Sequence, residues 1–213
     1  MITAVVRAIA LLSLAAAPAV AAPATTTMPV PLDTVVFGGG CFWGVQAVFQ
    51  HVNGVVSATS GYAGGKIEKP SYETVSTGLT GHAEVVRVVY DPSKVSYNKL
   101  LDVFFTVAHD PTQLNRQGPD HGTQYRSAVF FKTDAQKAAT QTYIAELGKS
   151  GTYKAPIVTQ VAPLSAFFVA EDYHQDYATL HPDQPYIAYN DTPKVEALKK
   201  QYSSLWSDKL AAH

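Results

Sequence analysis

The stretch GGGCFWG, at residues 38–44, constrains the fold more than any other part of the chain because it separates two different hydrophobic patterns. The β-branched and aromatic residues at 34–37 are typical of a buried strand. After the stretch, apolar residues recur at helical spacing over 45–52, and Gly54 closes the run. The chain must therefore turn from a strand into a helix at Cys41, and the preceding glycines allow a positive φ or a close backbone approach.

Cys41 is the only cysteine in the 213 residues. The first turn of a helix offers unpaired N–H groups and the positive end of the helix dipole. Such surroundings lower the pKa of a thiol from about 8.5 to roughly 3.5–7.5. We therefore expect Cys41 to be a reactive thiolate. A small buried hydrophobic residue is the alternative for a lone cysteine, but a core thiol does not require three glycines in front of it.

The N-terminal residues indicate export. Arg7 precedes an apolar stretch that begins at Ala8, and residues 19–21 have the small-x-small pattern of a cleavage site. The apolar stretch is shorter than the roughly 20 residues that a membrane span needs, and Pro18 interrupts it. We predict a secretory signal at 1–22, a flexible leader at 23–31 and one domain at 32–213, in a periplasmic or secreted protein. An exported protein ordinarily pairs its cysteines, so an odd one also indicates a reactive thiol or an intermolecular bridge.

The charge pattern gives no sign of a polyanionic partner. The chain has 16 basic and 17 acidic residues and a net charge of −1. We expect no nucleic acid partner and no membrane contact after signal removal. We also expect a monomer.

The rest of the chain alternates between strand and helix patterns. Strands are predicted at 55–62, 83–90 and 125–131, and helices begin near Ser96, Asp134 and Thr192. The region 66–81 is polar and turn-rich, and the long polar stretch 109–124 indicates a functional loop. Extended segments are predicted at 157–162 and 164–170, and a short helix near Asp172. The predicted fold is an α/β (α+β) two-layer sandwich with a mixed β-sheet and a ferredoxin-like core.

The glycine-rich stretch does not favour nucleotide binding. A dinucleotide fingerprint would need glycine where Trp43 stands, and a phosphate-binding loop would need Lys-Ser or Lys-Thr after Gly44. A metal site is also disfavoured, because His174 and His181 are seven residues apart and one cysteine gives no ligand pair.

Two other functions remain open from the residues alone. A cysteine peptidase or acyltransferase would need a base beside Cys41. The candidate bases are His51, His82, His109, His121 and His174. Alternatively, a non-catalytic binding module would use aromatic residues as a ligand cage. The cage residues would be Phe42, Trp43, Tyr62 and Tyr72.

Six segments, in this order, resemble the peptide methionine sulfoxide reductase A family. They are GCFWG (40–44), GYAGG (61–65), PSYETV (70–75), GHAEVVRVVYDP (81–92), HDPTQLNRQGPDHGTQYRS (109–127) and AEDYHQDY (170–177). The resemblance implies reduction of methionine sulfoxide, free or in proteins and of the S epimer. It implies neither a cofactor nor a metal.

The resemblance also implies roles for individual residues. Cys41 matches the nucleophile that attacks the sulfoxide sulfur. Glu84 matches the acid that protonates the sulfoxide oxygen, and burial would raise its pKa well above the usual value of about 4.3. Tyr72 and Tyr125 match the hydroxyl donors to that oxygen. Asp120 matches a residue that supports binding and polarisation there.

Three further residues complete the implied site. Phe42 and Trp43 would form aromatic walls around the apolar, polarisable S-methyl group of the substrate. His174 is a supporting candidate, expected to be structural rather than catalytic.

Many members of the family carry additional cysteines near the C-terminus, but residues 178–213 contain none. No internal disulfide can form, so the implied sulfenic acid on Cys41 must be reduced by an external thiol. The expected reductant is a thioredoxin-like or glutaredoxin-like protein, or a small thiol.

Overall fold

The computed structural model describes residues 31–213. The predicted signal at 1–22 lies outside the described residues, as does all of the predicted leader except its last residue. Within residues 31–213, no helix combines the length and apolar character that a membrane crossing requires.

The architecture is built on one six-stranded sheet. Its strands are β1 (Asp33–Gly38), β2 (Val55–Ala63), β3 (Ala83–Tyr90), β6 (Ala128–Phe131), β7 (Gln160–Pro163) and β8 (Phe167–Val169). They lie in the order β7-β6-β1-β3-β2-β8, and neighbouring strands are antiparallel except for the parallel pair β6 and β7. A separate two-stranded hairpin joins β4 (Arg116–Gln117) to β5 (Asp120–His121).

Helices of very different length connect these strands. They are α1 (Phe42–Gln50), α2 (Tyr72–Ser76), α3 (Tyr97–Val103), α4 (Asp134–Lys149), α5 (Tyr177–Leu180), α6 (Pro185–Asn190) and α7 (Thr192–Gln201). A π-helical turn at Phe104–Ala108 continues α3, and 3-10 turns lie at Thr123–Tyr125 and Asp172–His174. A mixed sheet with helices packed against it confirms the predicted α/β class.

The main hydrophobic core lies between α1 and one face of the sheet. Phe37 of β1 stacks on Phe49 of α1 and on Phe104, with ring centroids 5.1 and 4.5 Å apart. Phe37 pairs directly with Val86 of β3, and residues two apart on a strand share a face. Glu84, two residues before Val86, therefore points toward the face that α1 covers.

The structure corrects several predicted boundaries. Within the region predicted to be turn-rich, Ser71 begins the short helix α2 through a capping box with Thr74. The strand predicted from residue 125 begins at Ala128, because Tyr125 belongs to a 3-10 turn. Helix α4 is capped by Thr133 rather than by Asp134. Helices α5 and α6 were not predicted, since each is too short to show helical periodicity.

Candidate active site

One cleft of about 170 Å³ brings together the residues that the sequence analysis singled out around the thiol. Its lining residues are Cys41, Phe42, Trp43, Tyr72, Glu84, Asp120, Tyr125 and Tyr186. All of these except Tyr186 were sequence-predicted site residues. They come from α1, α2, β3, β5, the 3-10 turn before β6, and α6. The cleft therefore depends on the whole fold rather than on one loop.

The turn between β1 and α1 explains the glycine before the thiol. Gly40 has φ of +90°, a conformation that L side chains rarely adopt. A Cβ atom at this position would also lie 2.5 Å from the Cβ of Gln117. Cys41 follows as the N-cap residue of α1. The close approach of Gln117 and the positive φ together require glycine at position 40.

The thiol of Cys41 is not a thiolate at rest, so the expectation drawn from its helix position is wrong. A hydrogen bond from the Trp43 backbone N–H and the charge of Lys194 do lower its pKa. Burial acts in the opposite direction and dominates, since Cys41 is only 8% exposed. The carboxyl groups of Glu84 and Asp191 raise the pKa further. The net effect is a thiol pKa well above its usual value.

Glu84 is the buried acid of the cleft. It is 2% exposed, and burial raises the pKa of its carboxyl group from 4.5 to about 8. The backbone N–H of Phe42 donates to Glu84 Oε2 at 3.2 Å and favours the carboxylate, while Asp120 disfavours it. At neutral pH Glu84 is therefore mostly protonated and can donate a proton. Because Glu84 is uncharged below pH 8, its repulsion of a Cys41 thiolate is largely absent there.

The aromatic wall of the cleft is held by His174. Trp43 Nε1 donates to His174 Nδ1 at 3.1 Å, and the Trp43 ring stacks on Tyr177 with centroids 3.9 Å apart. His174 is buried, and burial lowers its pKa. With Nδ1 accepting, the imidazole is neutral and carries its proton on Nε2. The hydrogen bond thus fixes the orientation of Trp43, and a structural rather than catalytic role for His174 stays a prediction.

Glu171 holds the tyrosine side of the cleft, although the sequence analysis did not select it. Its carboxylate accepts hydrogen bonds of 2.8 Å from the Tyr62 hydroxyl and from the Tyr72 backbone N–H. Burial raises the pKa of Glu171, but these hydrogen bonds and the nearby His174 together outweigh it, and the net pKa is lowered. Tyr72 begins α2, so the contact anchors that helix beside the thiol. The preceding residue in the motif AEDYHQDY, Ala170, is buried, which places Glu171 at the edge of the core.

Tyr186 also lines the cleft, although no sequence pattern pointed to it. Its hydroxyl donates to the Asp120 carboxylate and so connects α6 to the β4–β5 hairpin. Burial raises the pKa values of Tyr186 and Tyr125, and the nearby Glu84 raises that of Tyr125 further. Both tyrosines therefore remain protonated at neutral pH, and Tyr125 can act as a hydroxyl donor in the cleft.

Four of the five histidines proposed as bases for a cysteine hydrolase make hydrogen bonds elsewhere, and the fifth, His121, is exposed on β5. His109 is buried between the Phe104 carbonyl and the Ser127 hydroxyl, and His82 lies between Gly65 and Ile67. None of the described histidines lines the cleft with Cys41. The arrangement lacks the thiol–imidazole pair that acyl transfer requires. Within residues 31–213, no group of three or more histidine, cysteine or acidic side chains is placed to hold a metal ion.

Comparison with known proteins identifies the family. The family model described as peptide methionine sulfoxide reductase matches residues 33–206. A peptide methionine sulfoxide reductase MsrA 2 from Mesorhizobium japonicum is 58% identical over 177 residues, which cover 83% of this chain and 91% of the relative. The protein of the same name from Synechocystis is 48% identical over 180 residues, covering 84% of this chain and 82% of the relative.

Solved structures agree with the sequence match. Mxr1 from Saccharomyces cerevisiae in reduced form has a TM-score of 0.66 and 35% identity, covering 74% of this chain and 90% of that chain. Methionine sulfoxide reductase A of Corynebacterium diphtheriae has a TM-score of 0.63 and 36% identity, covering 73% of this chain and 77% of that chain. From the family match and these similarities, together with a cleft that joins a lone thiol to a buried acid, the chain belongs to the peptide methionine sulfoxide reductase A family.

Proposed function

We propose that this protein reduces the S epimer of methionine sulfoxide to methionine, free and in proteins, and thereby repairs oxidised proteins. Its membership of the reductase family supports the reaction class. The observation that carries the mechanism is the position of Glu84. A carboxylic acid with a pKa of about 8 lies in the same cleft as the only thiol of the chain.

Sulfoxide reduction needs such an acid because sulfur becomes electrophilic only when its oxygen is protonated. Glu84 donates a proton to that oxygen, and the Tyr72 and Tyr125 hydroxyls stabilise the charge that develops on it. The Cys41 sulfur then attacks the substrate sulfur, and its own proton returns to Glu84. The oxygen moves to Cys41 as a sulfenic acid and methionine is released, so that the cysteine is oxidised by two electrons and the sulfoxide is reduced by two.

The aromatic walls explain how the substrate is oriented. The faces of Phe42 and Trp43 provide an apolar surface for the S-methyl group. Asp120 supports binding at the oxygen and is itself held by the Tyr186 hydroxyl. With the methyl group against the aromatic rings and the oxygen toward Glu84, the substrate sulfur faces Cys41.

Recycling requires a thiol from outside the chain, because Cys41 is the only cysteine present. An external thiol forms a mixed disulfide with Cys41, and a second thiol releases the reduced enzyme. A thioredoxin-like or glutaredoxin-like protein, or a small thiol, has the chemistry for both steps.

Mass spectrometry of the protein after incubation with methionine sulfoxide tests the proposal. Without any thiol, Cys41 is expected to gain one oxygen while methionine appears in solution. Cys41→Ser is the matched control, since a hydroxyl of similar size has too high a pKa to supply the nucleophile. Methionine production by Cys41→Ser, or binding of sulfoxide without turnover in the wild type, would contradict the mechanism.

Three further properties belong to this proposal. Arg7, the apolar stretch that follows it and the pattern at 19–21 support export to the periplasm or the medium. The strand order β6-β1-β3-β2, with antiparallel neighbours, supports a ferredoxin-like description of the core. A monomer is the third proposed property, and the mass of the protein in solution by light scattering would test it.

A further inference from the structure

A second cleft, of about 90 Å³, shares Cys41, Asp120 and Tyr186 with the substrate cleft. We call it the polar cleft because polar side chains, those of Gln117, Asn190 and Lys194, take the place of the aromatic residues that line the substrate cleft. Its other lining residues are Gln117, Gly118, Pro119, Asn190 and Lys194. Cys41 thus lines both the aromatic substrate cleft and the polar cleft.

Lys194 is the cationic residue of the polar cleft, and a buried carboxylate holds it in place. Its Nζ lies 3.0 Å from Asp191 Oδ1. The Asp191 side chain is fully buried, whereas the Lys194 side chain is 19% exposed. The second carboxylate oxygen, Oδ2, is also buried and has no hydrogen-bond partner within the described residues. Asp191 therefore depends on Lys194 for charge compensation, and the pair fixes the ammonium group.

The position of Lys194 also affects the sulfur directly. Its charge is one of the influences that lower the pKa of Cys41. An ammonium group that stabilises negative charge on Cys41 also stabilises a second sulfur anion that approaches the same atom. The substrate cleft is lined by no lysine or arginine, and its tyrosine hydroxyls already serve the sulfoxide oxygen.

On the basis of the function proposed above, we propose that the polar cleft admits the reducing thiol and that the Lys194 ammonium stabilises its thiolate. The thiolate attacks the sulfenic acid sulfur of Cys41. An S–S bond forms, the S–O bond breaks, and the oxygen leaves as water with the proton that the thiol supplied. A second thiol then reduces the mixed disulfide, so that two thiols become one disulfide and Cys41 becomes a thiol again. The substrate and the reductant thus reach Cys41 through different clefts.

The test separates the two half-reactions and varies the charge of the thiol. Wild type and Lys194→Met are first oxidised with methionine sulfoxide in the absence of thiol. The sulfenic acid forms are then reduced with 2-mercaptoethanesulfonate, which is anionic, or with cysteamine, which is cationic. The anionic-to-cationic ratio of rate constants is expected to fall about tenfold in Lys194→Met, which corresponds to one moderately screened charge interaction. The intrinsic reactivities of the two thiols cancel in this comparison between variants.

Two further variants show that the effect belongs to charge at this position. Lys194→Arg keeps a cation and is expected to restore most of the wild-type ratio. Lys200→Met removes an exposed lysine of the same helix α7 and is expected to leave the ratio at the wild-type value. The proposal would be overturned if wild type and Lys194→Met had equal anionic-to-cationic ratios of rate constants. It would also be overturned if the ratio fell in Lys200→Met as much as in Lys194→Met.

Folding and the first half-reaction provide the remaining controls. If Lys194→Met does not fold because Asp191 is left unpaired, the double variant D191N/K194M removes both charges and keeps a good helix N-cap residue. The same loss of thiol selectivity is expected from it. If wild type releases no methionine in the thiol-free step, the proposed function fails. If it releases methionine but its thiol selectivity does not depend on Lys194, only the assignment of the polar cleft fails.

Discussion

Glu84 and Cys41 begin the reaction uncharged because burial outweighs the groups that would stabilise their anions. The Phe42 N–H favours a Glu84 carboxylate, and the Trp43 N–H favours a Cys41 thiolate, yet the pKa of each group is raised. A neutral acid beside a neutral thiol can transfer one proton forward and receive one back without leaving a net charge in the cleft. Buried polar groups therefore serve this chemistry better than an isolated thiolate would.

Glu84→Gln is expected to slow the thiol-free oxidation of Cys41 by about 100-fold or more, because an amide donates a hydrogen bond but cannot deliver a proton. In the wild type, the protonated fraction falls above the pKa of about 8. Its rate constant should then decline about tenfold per pH unit above that value. Single-turnover methionine release, measured as a function of pH, should show this decline in wild type but not in the variant. An identical profile in both proteins would assign the proton donor elsewhere.

The same carboxyl group should make folding depend on pH. Its pKa is raised from 4.5 in the unfolded chain to about 8 in the folded one. Between these values the folded state binds one more proton than the unfolded state, so stability decreases as the pH rises. Glu84→Gln carries no titrating group and should be free of this loss. Urea unfolding at pH 5 and pH 8 measures the free energy of unfolding of both proteins. The value for Glu84→Gln minus that for wild type should increase from pH 5 to pH 8, on the order of a few kcal/mol. A difference that shrinks with pH would contradict the raised pKa.

At the scale of elements, the close contact between α1 and the start of α7 makes glycine more favourable than alanine at one helical position, Gly44. Replacing a helical glycine by alanine usually stabilises a helix by about 0.5–1 kcal/mol. At Gly44, however, a Cβ atom would overlap Asp191 Oδ1 and lie 3.0 Å from Lys194 Nζ. Gly44→Ala should therefore destabilise the protein by about 1–3 kcal/mol.

Gly148→Ala in α4 is the matched control. Its new Cβ meets nothing within 4 Å, so the free energy of unfolding should increase by about 0.5 kcal/mol. Thermal unfolding of both variants measures the contrast, and equal stabilisation would refute the close α1–α7 contact.

Some elements could be predicted from the sequence because their own residues determine them. Strand β3 is an eight-residue run of mostly apolar, β-branched residues. At Cys41 the hydrophobic pattern changes from a buried strand to helical spacing. The short helices α2, α5 and α6 could not be predicted in this way. Each has four to six residues. Side-chain caps begin α2 and α6, and tertiary contacts such as the hydrogen bond from the Tyr72 N–H to Glu171 hold α2 in place. Helices of this length are not stable alone, so their local sequence carries little information.

At the scale of the whole molecule, the site could be predicted where motifs carry it. Cys41, Glu84 and Asp120 lie in recognisable segments, and the fold brings them to one cleft. Tyr186 and Lys194 lie in the last third of the chain, outside the motifs that the resemblance used. Their relation to Cys41 depends on how α6 and α7 pack on α1, which no spacing in the sequence reveals. The protonation state of Cys41 was also mispredicted, because a helix end is a local feature whereas burial results from the complete fold.

The presence of one cysteine in the whole chain determines how turnover must end. Without thiol, each protein molecule should release about one methionine and stop at the sulfenic acid, since no second cysteine can form an internal disulfide. A small dithiol should restore turnover and leave a trappable adduct on Cys41. Excess oxidant without thiol should instead drive Cys41 to the sulfinic acid, which dithiols do not reduce. Counting methionine per chain by chromatography, with the mass of Cys41 measured in parallel, checks each step. A yield of two methionines per chain without thiol, with Cys41 still a sulfenic acid by mass, would show another reducing group, because the second sulfoxide consumes two further electrons that Cys41 has not supplied.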